Sequence, residues 1–275
     1  MDLWSLRRTR GNGCTPLAKR DTSAVLLQRS PVTSLREHVS CYWGYEEITD
    51  GPMRRREGPG SSVVVSISLG NEWLIDGERR ASFIGGLRSS QVTTEHAGWS
   101  LGMQIDLVPW AGYRLLRIPM HEVAQTTVPF EELLPGELVE RLAAAPTWDD
   151  RFDLLDRILA RQLRDAPAVS PEVIWAWQRL CDTHGGLRVG ALAKELGWSR
   201  KRLVARFREQ LGLPPKAAAR LLRFERARSL AGTMSWAELA FGCGFSDQPH
   251  LIAEFRAFTG QPPETFLQDA ATAAA

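Results

Sequence analysis

The sequence predicts a two-part α+β protein: a β-rich N-terminal domain, barrel or sandwich, with following helices, then an all-α C-terminal domain. Three observations predict it. Val63, Val65, Ile67 and Leu69 alternate with polar or small residues, as do Leu101, Met103, Ile105 and Leu107, the period of half-buried strands. From Ser170 to Gln268 no strand pattern occurs and apolar residues fall at helical spacing. Within that stretch a helix-turn-helix pattern is written twice.

Residues 1–30 are expected to be a loose basic tail, with Arg7, Arg8, Arg10, Lys19 and Arg20 and no apolar core of an export signal. The β-rich domain is expected over 31–165. A third candidate strand runs from Val39 to Tyr45, and Gly58-Pro59-Gly60, Asp76-Gly77 and Gly85-Gly86 mark turns. Several short strands separated by turns suit a barrel or sandwich. Thr147 can cap a helix with Asp150 three residues on, and Trp148, Phe152, Leu155, Leu159 and Leu163 mark its buried face. Asp165 to Ser170 reads as a linker, and Ser170-Pro171 opens the C-terminal domain, 170–268, in the favoured N-cap and N1 order.

The repeat aligns Ala193-x3-Gly197 with Ala240-x3-Gly244, Leu203-x3-Phe207 with Leu251-x3-Phe255, and Gly212-x-Pro214-Pro215 with Gly260-x-Pro262-Pro263, at offsets of 47 to 48 residues. Each unit reads as a short helix, a turn glycine, a second helix ending at glycine, and a diproline. Leu203 and Phe207 point inward, which leaves Lys201, Ala205 and Arg208 on the outer face with Arg202 beside them. Between the units, Pro215 to Ala231 holds no internal proline or glycine. It reads as one continuous helix, roughly 25 Å long at ~1.5 Å per residue. Such a spacer could hold two reading helices about one DNA turn apart, ~34 Å.

Charge points the same way. The formal net charge is only +2, yet Trp198 to Arg228 carries ten basic residues against Glu209 and Glu225. A polyanion is the partner such a run favours over a merely solvated face. Composition, 44% hydrophobic and 24% charged, excludes a disordered or collagen-like chain and a disulfide scaffold. No apolar run reaches the ~18 residues of a membrane span. The cysteines, Cys14, Cys41, Cys181 and Cys243, form no C-x-x-C pair and fit a reducing cytoplasm. No P-loop, dinucleotide fingerprint, G-x-S-x-G or H-E-x-x-H occurs, so no enzyme is expected.

Residues 171–268 resemble the DNA-binding domain of AraC/XylS-type transcription regulators. Carrying the resemblance are Leu192-Ala193-Lys194-Glu195-Leu196-Gly197, Ser199-x3-Leu203-x3-Phe207, Gly212-x-Pro214, Gly242-x-Gly244-Phe245-Ser246-Asp247-Gln248-Pro249-His250-Leu251, and Thr259-Gly260-x-Pro262. It implies that the first reading helix contacts bases through Lys201, Val204, Ala205 and Arg208, with Ser199, Arg200 and Arg202 flanking. In the second unit it points to Gln248, His250 and Ala253, with Ser246 beside them and Arg256 near phosphate. Arg220 and Arg223 on the long helix are expected at phosphates. Ala253 stands where the family often has a long polar residue, and Pro249 replaces a usual polar one, so base readout by the second unit stays open. The N-terminal part is compatible with the cupin-like sensor or dimerisation domains of that superfamily; Cys41-Tyr42-Trp43, Val108-Pro109 and Leu133-Leu134 resemble one of its sensor types.

The implied partners are double-stranded DNA, a small-molecule effector, a second copy of the chain as a homodimer, and RNA polymerase, with no membrane, metal or cofactor. Trp43, Tyr45, Trp73, Trp99 and Trp110 are the candidates for an effector pocket, against core packing as the rival reading. A regulator without ligand, whose N-terminal domain only dimerises or touches polymerase, is the second reading. A metal-cupin or thiol-dependent alkyl-acceptor enzyme fused to a DNA-binding domain is the third. His38, His96 and His121 lack the clustering of metal ligands, and Cys41 has no supporting motif.

Overall fold

The computed structural model describes residues 24–130 and 137–272. Eight strands come first: β1 (Ala24–Arg29), β2 (Val39–Glu57), β3 (Val63–Ser68), β4 (Trp73–Ile75), β5 (Glu78–Arg80), β6 (Phe83–Gly85), β7 (Val92–Leu107) and β8 (Thr127–Pro129). Helix α1 (Pro109–Leu116) interrupts them before β8. Nine more helices follow: α2 (Glu137–Ala144), α3 (Trp148–Arg164), α4 (Pro171–Asp182), α5 (Val189–Glu195), α6 (Arg200–Leu211), α7 (Pro215–Leu230), α8 (Trp236–Gly242), α9 (Gln248–Thr259) and α10 (Pro263–Thr272).

The strands form one antiparallel sheet in the order β1-β2-β7-β3-β6-β8, with β4 paired to β5 and β7. Its spine is the long β2–β7 pair, running from Val39 opposite Leu107 to Glu57 opposite Val92. Irregularities between Val39 and Cys41 and between Thr49 and Met53 let this ribbon bend without breaking. That bend is why the expected strand at Val39–Tyr45 continues to Glu57 through Gly51-Pro52. Alternation then sorts the two faces. Tyr42, Val63, Val65, Ile67, Met103 and Ile105 join the main core, whereas Leu26, Cys41, Trp43 and Tyr45 cluster with Trp73 on the other side.

Two expectations are corrected. The basic tail expected over 1–30 contains strand β1, because Leu26 and its neighbours pair along β2; Arg7 to Arg20 lie outside the described residues, as do Cys14 and Leu133-Leu134. Gly85 of the expected turn is a strand residue opposite Val64. The short strands β4, β5, β6 and β8 carry no alternation long enough to read.

The helical expectations hold. Thr147 accepts from the Asp150 amide at 3.1 Å, and Phe152, Leu155, Leu159 and Leu163 are buried. α3 is also tied to the sheet through Asp156, whose Oδ1 accepts from the Tyr42 hydroxyl at 2.8 Å. Burial and this carboxylate push the Tyr42 phenol up. Ser170 and Pro171 open α4, although the Ser170 hydroxyl bonds Glu172 rather than the helix amides.

One hydrophobic core runs through both halves, from Leu35 to Phe258. α1 and the 3-10 turn Met120–Glu122 pack on α6. There Gly212 (φ +94°) approaches so closely that a Cβ would stand 2.9 Å from the Met120 carbonyl, which requires glycine on two counts.

Candidate nucleic-acid interface

The two helix-turn-helix units are α5–α6 and α8–α9, and their turns match bond for bond. The Trp198 amide donates to the Ala193 carbonyl at 2.9 Å, and the Phe245 amide to Ala240 at 2.9 Å. Gly197 and Gly244 supply the left-handed residue of each turn, at φ +65° and +75°. Ser199 caps α6 by accepting from the Arg202 amide at 3.2 Å; Asp247 caps α9 by accepting from the His250 amide at 2.8 Å. Leu203 and Phe207 in the first unit, and Leu251 and Phe255 in the second, are fully buried. Both reading helices end at a glycine whose amide bonds back four residues, Gly212 to Arg208 at 3.1 Å and Gly260 to Arg256 at 2.9 Å.

The outer face of α6 is as expected. Arg200, Lys201, Arg202, Ala205, Arg206 and Arg208 are exposed and Val204 is half-buried. Arg202 lies over the Trp198 ring at 4.3 Å, a stacking that holds its guanidinium beside the helix start. Arg206 pairs with Glu209 at 2.8 Å, and that partner raises its pKa. Arg200 rests against Gly190 of the preceding helix, where a Cβ would meet its guanidinium at 2.7 Å.

α9 presents a different surface. Ser246, Gln248, Ala253 and Arg256 are exposed. The His250 ring is held in place, since its Nδ1 lies 3.0 Å from the Ser246 hydroxyl and accepts from the Ser246 amide at 3.3 Å. Its Nε2 lies 3.8 Å from a Glu254 carboxylate oxygen.

Arg220 and Arg223 both have partners within the helical half. Arg220 forks onto Glu254 of α9, with Nε at 3.1 Å and Nη2 at 3.0 Å. Arg223 is half-buried and donates to the Gly185 carbonyl at 2.7 Å, and burial pulls its pKa down. Both serve as clamps: one locks α7 to the second reading helix, the other closes the turn after α4.

Sequence reasoning missed a contact between the halves. The loop joining β2 to β3 gives the Ser61 amide at 2.9 Å and the Ser61 hydroxyl at 2.8 Å to the two carboxylate oxygens of Glu225 on α7. Glu225 is only 8% exposed. Its signal was present, since it is one of two acids in the basic run. The same loop walls a cavity of about 850 Å³, open mouth included, lined by residues of β2, β3, β4, β6, β7 and β8. Of the five aromatic candidates, Tyr45 and Trp73 line it. Trp43 is buried with its indole on Asp106 at 2.9 Å, Trp99 is on the surface bonded to Glu46, and the Trp110 indole donates to the Glu37 carbonyl at 3.2 Å.

Among the described residues no three His, Cys, Asp or Glu side chains gather as a metal site, and no helix is long and apolar enough to cross a membrane. Cys41 is buried, its thiol 3.2 Å from the Tyr42 carbonyl.

Residues 192–269 match a family model described as a helix-turn-helix domain. Several solved structures align at low identity. The C-terminal domain of AraT, a response regulator from Geobacillus stearothermophilus, is 21% identical and covers 38% of this chain and 88% of its own, at a TM-score of 0.35. The xylose-binding transcription activator XylR is 22% identical, covering 43% of this chain and 38% of its own, at 0.33. ToxT from Vibrio cholerae O395 is 9% identical over 80% of this chain and 98% of its own, at 0.44. No curated protein matches the chain in sequence. Residues 192–269, with their two matched turns and capped second helices, carry a helix-turn-helix domain.

Proposed function

We propose that the protein is a sequence-specific DNA-binding transcription regulator whose N-terminal half senses a small molecule. The observation that carries the reading is the exposed face of α6, where Lys201, Val204, Ala205 and Arg208 sit on a capped helix flanked by Arg200 and Arg202. A helix of this kind fits a major groove, with side chains at base edges and cations at phosphates. α9 follows on the other side of α7, whose 16 residues span about 24 Å at ~1.5 Å per residue. Gln248 and His250 are its candidate base contacts and Arg256 its phosphate contact. A second copy of the chain and RNA polymerase are further partners this reading implies.

Two contacts connect sensing to reading. The cavity wall grips α7 through Ser61 and Glu225, and α1 with the Met120 turn packs on α6. A ligand that favours one arrangement of the wall would shift the population of DNA-competent molecules by its differential affinity.

The test begins with genome-wide mapping of bound DNA, followed by gel shifts on a mapped fragment. Lys201→Ala/Arg208→Ala is expected to lose the specific complex while keeping its fold. Unchanged binding by this double variant refutes the assignment of α6 as reading helix.

A further inference from the structure

We propose that the cavity in the β-rich half binds a small organic anion, its flat apolar body against Tyr45, Trp73 and Phe83 and its acidic head at Arg88. This rests on the sensing role proposed above and goes further by naming the class of ligand.

The apolar wall is already ordered. Tyr45 meets Trp73 edge-on at 5.8 Å, Trp73 stacks on His96 at 4.4 Å, and the Trp73 indole donates to the Ser100 hydroxyl at 3.0 Å. With three such contacts the Trp73 ring cannot turn freely, so it offers a fixed flat surface.

The polar side of the cavity carries more cationic than anionic groups. Its charged lining residues are Arg55, Arg88 and Glu57. Arg55 is committed to the buried Glu47 at 2.5 Å. Arg88 is not matched in this way: its carboxylate neighbour, Asp76, is half-exposed and stands 3.4 Å from Nη2. Arg88 Nε and Nη1 are buried with no hydrogen-bond partner among the described residues, and Arg55 Nη1 is in the same condition. A guanidinium only donates. The group that completes this wall is therefore acceptor-rich, and a carboxylate matches the guanidinium fork in shape and charge.

Gly85 provides the control. A Cβ there meets no atom within 4 Å, and the residue lines the cavity, so a side chain begun at this position starts without a clash and takes up cavity space.

The test uses the full chain, with calorimetric titration and thermal melting against indole-3-acetate, indole-3-acetamide and inorganic phosphate. The acid is expected to bind and raise Tm, the isosteric amide to bind at least tenfold more weakly, and phosphate alone to give no signal. Arg88→Gln should erase the preference for acid over amide, and Gly85→Leu should abolish binding of both. If Arg88→Gln does not fold, Arg88→Lys carries the test, with a several-fold loss expected because the charge stays and the fork goes. Equal binding of acid and amide, no binding of the acid, or an intact preference in the folded Arg88 variant overturns the proposal. The sensing role is judged separately by the operator affinity of Gly85→Leu. A changed affinity with no preference for the acid removes the anion and leaves the sensor. An unchanged affinity with the acid bound at Arg88 removes the sensor and leaves the ligand class.

Discussion

The two helix-turn-helix units share a backbone and differ in surface. Their turns close through equivalent amides, their glycines take the same left-handed conformation, and their inward leucine and phenylalanine are equally buried. Yet α6 exposes five cations, Arg200, Lys201, Arg202, Arg206 and Arg208, and α9 exposes Arg256. The acid of α9, Glu254, is spent on Arg220 of the connecting helix, and its histidine is bonded to Ser246. Duplication of a scaffold thus does not duplicate its chemistry. The first unit exposes a row of cations, and the second is braced against α7 through Glu254.

The largest effect should come from breaking what the units share. Phe207→Ala and Phe255→Ala each open a cavity in a fully buried site, at about 3–5 kcal/mol of stability. Chemical denaturation should show comparable losses; a much smaller loss in one unit would mean the two cores are not equivalent.

A second probe sets the helical units against the β region. Burial pushes the Glu47 carboxyl up, but the close approach of His96 and Arg55 outweighs it and holds the group at about 2. A carboxyl depressed in the fold stabilises it above its unfolded pKa. That contribution, about 3 kcal/mol, is lost as pH falls from about 4.5 to about 2. Acid denaturation curves of Glu47→Gln should lack this component.

The units should separate in DNA binding. Lys201→Ala or Arg208→Ala should cost about 1–3 kcal/mol and relax specificity at the contacted base pair. Arg256→Ala should weaken all sequences alike and lower the salt slope by ~1. The two profiles, measured by gel shift across salt concentrations, should not coincide. The smallest expected effect on fold is Ser61→Ala, which removes one of the two bonds to Glu225 at about 1 kcal/mol. Its readout is the change in operator affinity, with little change in Tm.

Much of the helical part was legible. Caps, turn glycines and inward apolar residues are local signals, and Thr147, Ser199, Gly197 and Gly244 declare them within a few positions. The partners of charged side chains were not legible. Arg220 and Arg223 are expected at phosphates, and nothing local reveals that they also bond Glu254, 34 residues away, and the Gly185 carbonyl. The cavity suffered in the same way. Tyr45 and Trp73 line it and Trp43, Trp99 and Trp110 do not, since alternation assigns a face but not a position along the bent β2–β7 ribbon. Glu225 stood out as an acid in a basic run, but its partner Ser61 lies 164 residues earlier.

The close seat of Gly212 on the Met120 carbonyl has a bearing on modular engineering. In a chimera spliced at residues 165–170, any residue other than glycine at position 212 would meet that carbonyl, and Leu213 and its neighbours would face a mismatched wall. In this protein the two halves share one core across that seam, so both sides of it belong in the same transplanted piece.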